Sequence, residues 1–346
     1  MDFRKSELDT VVPTRIIGPI KINYDNSTEL IYIPLATFET PIWSSVKRGA
    51  LVSQKTAGIN IEVIDDLMTR SIVVEAPDLK KAIENKKKIE KNKESLAKEI
   101  EKTSRFLKFR NLSIENVGKL LYVRLEFSTE NASGHNMVTK AADSAIDWII
   151  SNCEGIRDLS VSANYCVDKK VSAINGILGR GKRVSAEIIV PKLICKQILR
   201  ASPTKIIDLN VKKNFIGSIL SGGIRTANAH YANVVLAAYI ATGQDPANVV
   251  ETSQGVTFAD FSGEDLYFSV SIPNVIVGTV GNGKKLPFAL KNLEEMKCYP
   301  NDSSSSKRLA AVIAAGVLCS ELSLLSALTN RGELMSSHLK LERTEI

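Results

Sequence analysis

Histidine is scarce in this chain, with three in 346 residues. So few imidazoles argue against a histidine-rich metal centre. The five cysteines, at 153, 166, 195, 298 and 319, have neither CxxC pairing nor metal-ligand spacing. An odd count without paired spacing points to reduced thiols in a cytoplasm and away from a disulfide framework. Aromatic residues make up 6% of the chain, and the basic residues are spread out rather than interleaved with them, which disfavours nucleic acid as a partner. No apolar run approaches the ~20 residues of a membrane span. The longest, Leu309 to Cys319, stops at Ser320-Glu321. The opening residues, MDFRKSELD, lack the apolar core of a signal peptide. No GxGxxG follows a strand pattern, so a Rossmann-type dinucleotide site is unsupported. These absences lead to the expectation of a soluble, cytoplasmic protein that engages neither membrane nor nucleic acid.

The residues that are present describe a globular chain, 44% hydrophobic, able to bury a sizeable core in one large domain or two. The formal charge of +7 suits substrates and cofactors that carry phosphates. Residues 1–71 mix strand patterns, Arg15–Ile22 and Leu30–Leu35, with a helical pattern over Thr40–Ala57. A self-contained block follows at 72–160. Its order is strand (Ser71–Ala76), long helix (Leu79–Thr103), strand (Phe106–Ile114), strand (Lys119–Phe127), helix (Asn136–Ser151), which suits a ferredoxin-like sandwich. Ile89, Leu96 and Ile100 give the lysine-glutamate helix one apolar stripe, so its charge run reads as a solvated face. From 161 to 346 strands and helices alternate again, with apolar helices near Ala229–Ala241 and Lys307–Leu328.

Four polar-rich segments stand out in order. They are Pro34-Leu35-Ala36-Thr37-Phe38-Glu39, Ser162-Ala163-Asn164-Tyr165-Cys166-Val167-Asp168-Lys169-Lys170, the run NAHYANVVLAAYIATGQD from Asn228 to Asp245, and Val277-Gly278-Thr279-Val280-Gly281-Asn282-Gly283. Together they resemble 3-hydroxy-3-methylglutaryl-CoA (HMG-CoA) reductases of class I, the class shared by eukaryotes and archaea, over about Pro13 to His338. The resemblance implies an α+β protein. Its large mixed α/β substrate domain comprises 1–71 and 161–346, and a small NADP-binding ferredoxin-like domain, 72–160, is inserted into it. It also implies reduction of HMG-CoA to mevalonate and coenzyme A with two NADPH, by a homo-oligomer (dimer or tetramer). No metal is implied.

The roles it implies agree with the chemistry of the residue types. Reducing a thioester requires a charge on the carbonyl oxygen to be stabilised and protons to be supplied. Lys169 matches the family's catalytic lysine, although two lysines after an aspartate also suit a solvated turn. Glu39 matches the catalytic glutamate. Asp245 matches the aspartate among these groups, and Asp245-Pro246 is equally a sound helix start. His338 matches the histidine that protonates the coenzyme A thiolate, on a segment, Thr329–Ile346, expected to close over substrate as a lid. Arg70, Ser162, Asn164, Asp168, Lys170, Lys213 and Asn233 match positions around the hydroxymethylglutaryl group, with His230 lining the same pocket. Arginine and lysine suit its carboxylate, and aspartate or asparagine its hydroxyl. Ser45 and Arg48 match coenzyme A contacts.

For the cofactor, Ser104-Arg105-Phe106 matches the piece that holds the 2′-phosphate. Asn131-Ala132-Ser133-Gly134-His135-Asn136-Met137 matches the family's Asp-Ala-Met-Gly-Met-Asn-Met. Gly134, Gly281 and Gly283 are expected to let the backbone approach the dinucleotide. Asn131, Ser133, His135 and Asn282 depart from the family pattern, and asparagine at 282 is expected to tolerate a left-handed backbone. The N-terminal helical part is reduced, and the family's dimer signature is missing at Arg4–Leu8. Two alternatives stand beside the enzyme: a non-catalytic acyl-CoA-binding homologue, and an NAD-linked enzyme of mevalonate breakdown.

Overall fold

The computed structural model describes residues 10–342, without the side chains of 337, 338 and 340–342. Residues 1–9 and 343–346, which include the Arg4–Leu8 position, lie outside the described residues. Ten strands form two sheets that share one strand. They are β1 (Thr14–Tyr24), β2 (Ser27–Ala36), β3 (Ile59–Glu75), β4 (Lys108–Val117), β5 (Leu120–Ser128), β6 (Arg157–Ser160), β7 (Gly181–Val190), β8 (Thr226–Ala227), β9 (Gly255–Ser262) and β10 (Asp265–Val275). The larger sheet has the order β2-β1-β3-β7-β10-β9-β8. The smaller has the order β4-β5-β3-β6, every pairing antiparallel, which is the split β-α-β arrangement. The α+β class inferred from the sequence is the class observed.

Local chemistry explains the entry into this fold. Asp25 and Asn26 both sit at positive φ (49° and 57°), the two-residue primed turn that suits a right-twisted hairpin, and the β1–β2 register closes at Tyr24 and Ser27. Strand β3 decides how the two sheets meet. Its first half, from Asn60 to Leu67, pairs with β7, and its second, from Met68 to Glu75, pairs with β5. The boundary expected at 71/72 therefore falls inside a continuous strand. The long helix expected over 79–103 is two helices, Leu79–Lys91 and Lys93–Glu101, divided at Asn92, whose side chain bonds the Lys88 carbonyl. Its apolar stripe, Ile89, Leu96 and Ile100, is fully buried as expected.

Two cores result, one beneath each sheet. The helix Ser305–Leu328 runs through the larger core. It is apolar enough by length and composition to cross a membrane, yet 94% of its most apolar window is buried inside the fold. It is longer than the uninterrupted apolar run because serines share its core faces. At Gly49 on the helix Pro41–Gln54 a β-carbon would come within 2.3 Å of the Cys319 backbone, so glycine sets the spacing of these two helices. All five cysteines are buried and free.

Candidate active site

The loop from Ser162 to Lys170 lies where the two sheets meet, and buried polar groups hold it from three directions. Asn164, Val167 and Lys169 all adopt positive φ (58°, 49° and 55°), conformations that cost energy for non-glycine residues and need support. The Ser71 hydroxyl accepts from Cys166 N at 2.9 Å, and the Asn175 amide donates to the Cys166 and Val167 carbonyls at 3.2 and 2.9 Å. Arg124, fully buried on β5, donates to Asn175 Oδ1 at 3.0 Å and to the Gly179 carbonyl at 2.9 Å. The smaller sheet thus braces the loop.

Lys169 Nζ lies 2.7 Å from Asp245 Oδ2. This bond holds the Lys169 ammonium above its ordinary range. At Asp245 partial burial pushes the acid constant up, but the bonds from Lys169 and from Ala247 N outweigh it, and the net shift is downward. Asp245 also caps the short helix Pro246–Asn248, its Oδ1 accepting from Ala247 N at 3.0 Å. Both roles anticipated for it coexist.

Behind this pair lies an ionic network that the sequence reading missed. Arg180 is 1% exposed. Its Nη2 lies 2.8 Å from Asp168 Oδ1, and its Nη1 donates to Glu251 Oε1 at 2.7 Å. Glu251 is fully buried, and the same oxygen accepts Lys169 N at 3.0 Å and Asn248 Nδ2 at 3.0 Å. Burial raises the Glu251 acid constant even against the Arg180 charge. The signal available in the sequence was Arg180 itself, a single arginine between Gly179 and Gly181. Lys284, 5% exposed beside the same turn, was also missed, and burial lowers its ammonium constant despite Asp245.

Glu39 belongs to a second cluster. Its Oε2 accepts from Asn233 Nδ2 at 3.1 Å. With Ser45, Arg48, His230 and Asn233 it lines a groove of about 810 Å³ that reaches the final helix, Glu333–Glu342. His230 Nε2 meets the Ser320 hydroxyl at 2.9 Å, and the Ser320 hydroxyl donates to Ser45 Oγ at 3.3 Å. The Arg48 guanidinium is taken up by Ser323 and by Glu333 at 2.6 Å. Among the described residues no hydrogen bond or ion pair joins Glu39 to Lys169 or Asp245. His338 falls on the final helix, and its side chain lies outside the described residues.

Of the remaining substrate candidates, Arg70, Ser162, Asn164 and Lys170 sit on or beside the Lys169 loop. Arg70 Nε donates to the Val161 carbonyl at 3.0 Å, Ser162 N donates to the Ser160 hydroxyl at 3.0 Å, and Lys170 Nζ donates to the Asp168 carbonyl at 3.1 Å. Asn164 is exposed. Lys213, on the wide-turned helix Asn210–Gly217, bonds its neighbour Asn214 at 3.4 Å.

Of the cofactor candidates, Arg105 is exposed, forms no ion pair with any described residue, and lies 4.5 Å over the Phe106 ring. The Ser104 hydroxyl accepts from Phe106 N at 3.3 Å. Asn136 is exposed. Gly281 (φ 101°) faces open space, since a β-carbon there would meet nothing within 4 Å. At four positions the chain itself supplies a constraint or a conformation. Gly283 is required by the chain itself, because its β-carbon would meet the Gly243 carbonyl oxygen at 2.3 Å. Gly134 is likewise confined by Thr129 at 2.6 Å. The Asn131 amide is spent on Asp302 O and on Ser306 N, bracing the start of the helix Ser305–Leu328. Asn282 is not left-handed; the glycines on either side carry the positive φ values. No group of three or more His, Cys, Asp or Glu side chains suited to a metal ion occurs among the described residues.

The family model described as "Hydroxymethylglutaryl-coenzyme A reductase" matches residues 9–343. A 3-hydroxy-3-methylglutaryl-coenzyme A reductase of Pyrococcus horikoshii is 39% identical over 337 residues, covering 96% of this chain and 81% of the relative. One of Aeropyrum pernix is 39% identical over 336 residues, covering 96% and 79%. Among solved structures, a class II 3-hydroxy-3-methylglutaryl-CoA reductase of Streptococcus pneumoniae, bound to NADPH in open conformations, superposes with a TM-score of 0.73 at 17% identity. It covers 93% of this chain and 86% of that one. At that identity the likeness shows the fold.

Proposed function

The chain belongs to the hydroxymethylglutaryl-coenzyme A reductase family, and on that premise we propose that it reduces HMG-CoA to mevalonate and coenzyme A with two NADPH. The observation that carries this reading is the Lys169–Asp245 pair at 2.7 Å, set over the buried Arg180–Glu251 network. An ammonium held protonated and fixed in place stabilises negative charge developing on a carbonyl oxygen. NADPH supplies the two hydrides when bound. Glu39, steadied by Asn233, donates a proton to the oxygen. His338 protonates the departing thiolate, and the helix that carries it closes the coenzyme A groove, where Ser45 and Arg48 lie. Arg70, Ser162, Asn164, Asp168, Lys170, Lys213, His230 and Asn233 hold the acyl group.

The residues fit a phosphorylated dinucleotide. Arg105 offers a guanidinium with no ion pair to any described residue beside Ser104, and Gly281 leaves open space. In this reading 72–160 is the NADP-binding domain and 1–71 with 161–346 the substrate domain. Asn131, Gly134 and Gly283 shape the dinucleotide site by holding its loops, while Ser104, Arg105, Phe106, Asn136 and Gly281 face the ligand. The 39% identity to archaeal relatives, against 17% to the class II structure, supports class I. We place the protein in the cytoplasm as a soluble homo-oligomer, in which a second copy can bring the Glu39 and Lys169 clusters together. Five buried free thiols support a reducing compartment.

The test is absorbance at the nicotinamide band with HMG-CoA and each reduced cofactor. Oxidation of NADPH with release of free thiol is the expected result. Loss of neither NADPH nor NADH would end the reductase reading.

A further inference from the structure

His135 is the one histidine that the proposed reaction leaves without a task, and it lies among the charges of the reaction centre. It opens the helix His135–Asn152, directly after Gly134 at φ 90°. Its Nε2 is shielded from solvent, has no hydrogen-bond partner among the described residues, and lies 3.8 Å from Asp168 Oδ1. That same oxygen holds Arg180 at 2.8 Å, and Asp168 directly precedes Lys169.

The groups facing the imidazole are Arg180, Asp168, Asp245 and Lys169. Burial first and the Arg180 charge second hold its acid constant down at about 4, against the pull of the two carboxylates. The ring is therefore neutral at working pH and carries one N–H. A lone pair directed at a carboxylate oxygen would be repelled, so the environment assigns the hydrogen to Nε2. The gap of 3.8 Å exceeds a hydrogen bond of about 2.7–3.2 Å. Closing it takes a movement of roughly 0.6–1 Å.

The two sides of this gap belong to different loops. His135 follows the loop Asn131–Gly134, assigned above to the dinucleotide site, and Asp168 belongs to the loop Ser162–Lys170, assigned to the acyl group. We propose that His135 is a positioning residue that couples the two ligands: dinucleotide seated on its loop brings Nε2–H onto Asp168 and sets the substrate loop, including Lys169, for reaction. The contact does not transfer a proton. Because coupling between two binding sites is reciprocal, each ligand tightens the other by the same factor. The inference rests on the reductase reading.

The experiment is calorimetric titration of HMG-CoA with and without saturating NADP⁺, the oxidised form that prevents turnover. The proteins are the wild type, His135→Gln and His135→Asn. Glutamine carries its amide nitrogen where the imidazole has Nε2, whereas asparagine reaches only the Nδ1 position. In the wild type NADP⁺ tightens HMG-CoA by about fivefold or more. The glutamine variant keeps this factor. The asparagine variant loses it while binding each ligand alone as the wild type does, which a merely structural role would not produce. The wild-type factor stays level from about pH 6 to pH 8, since a ring titrating near 4 is already neutral there. Absence of coupling in the wild type, its retention by His135→Asn, or equal loss in both variants would overturn the inference and leave the reductase reading intact. If the wild type binds neither ligand alone, the reductase reading itself falls and the coupling with it.

Discussion

Around Lys169, three ion pairs between 2.7 and 2.8 Å engage five charged side chains, as the pair Lys169–Asp245 and the triad Asp168–Arg180–Glu251, whereas Glu39 is held by one amide at 3.1 Å on the wall of an open groove. In the first region the ion pairs are already formed. Arg180 and Glu251 are almost wholly removed from water, and their charges stay there because each answers the other. The second region keeps its polar groups half-exposed and is walled on one side by the final helix. The contrast shows where each kind of precision is needed. In the proposed reaction a group that meets developing charge gains from being fixed beforehand, while a groove proposed to admit a long, flexible thioester gains from being open.

The sharpest way to break this comparison is Arg180→Ala. It leaves Asp168 and Glu251 without their cation, and removing one partner of a buried pair costs about 3–5 kcal/mol. Chemical denaturation should show a loss of that size, and a change under 1 kcal/mol would mean that the network is not what holds the loop. Next comes Lys169→Ala, expected to lower kcat by about 10²–10³, as loss of an oxyanion donor does, with HMG-CoA binding still measurable. Equal loss of binding and turnover would make Lys169 a substrate anchor.

Arg105→Ala should weaken NADPH by about 1.5–3 kcal/mol, the size of a hydrogen bond to a charged group, and leave NADH unchanged. An unaltered cofactor ratio would remove Arg105 from the phosphate site. On the groove side, Asn233→Ala deletes the brace on Glu39 and should cost only about 0.5–1.5 kcal/mol of stability. Denaturation beside Arg180→Ala measures the contrast directly, and similar losses in the two would erase it.

The smallest effect concerns pH. The Lys169 constant is raised, so its contribution is complete below the ordinary value of 10.5 and fades as pH climbs through the raised one. The Asp245 constant is lowered, so its contribution is complete above 3.8 and fades as pH falls through the lowered one. Stability from this pair is level between those limits. With side chains 41% and 40% exposed, it should amount to less than about 1 kcal/mol. Melting of the wild type against Asp245→Asn at pH 7 and pH 11 checks this: the difference should shrink at the higher pH.

Residue order alone determined the strand–helix alternation of 72–160, the paired lysines at 169–170, the capping aspartate at 245, and the stripe that buries Ile89, Leu96 and Ile100. Each of these is carried by a short repeat or a motif of neighbours, where period and residue type suffice. Tertiary structure decided the rest, because it depends on which distant segments share a surface. Strand β3 passes through the boundary drawn at 71/72 because its two halves find different partners, β7 and β5. Gly283 is a glycine on account of Gly243, forty residues earlier in the chain, and no local pattern announces that contact. Arg180, Glu251 and His135 are ordinary polar residues in their own segments. Their roles follow from burial beside Asp168 and Lys169, where low polarity makes every unpaired charge costly and every partner consequential.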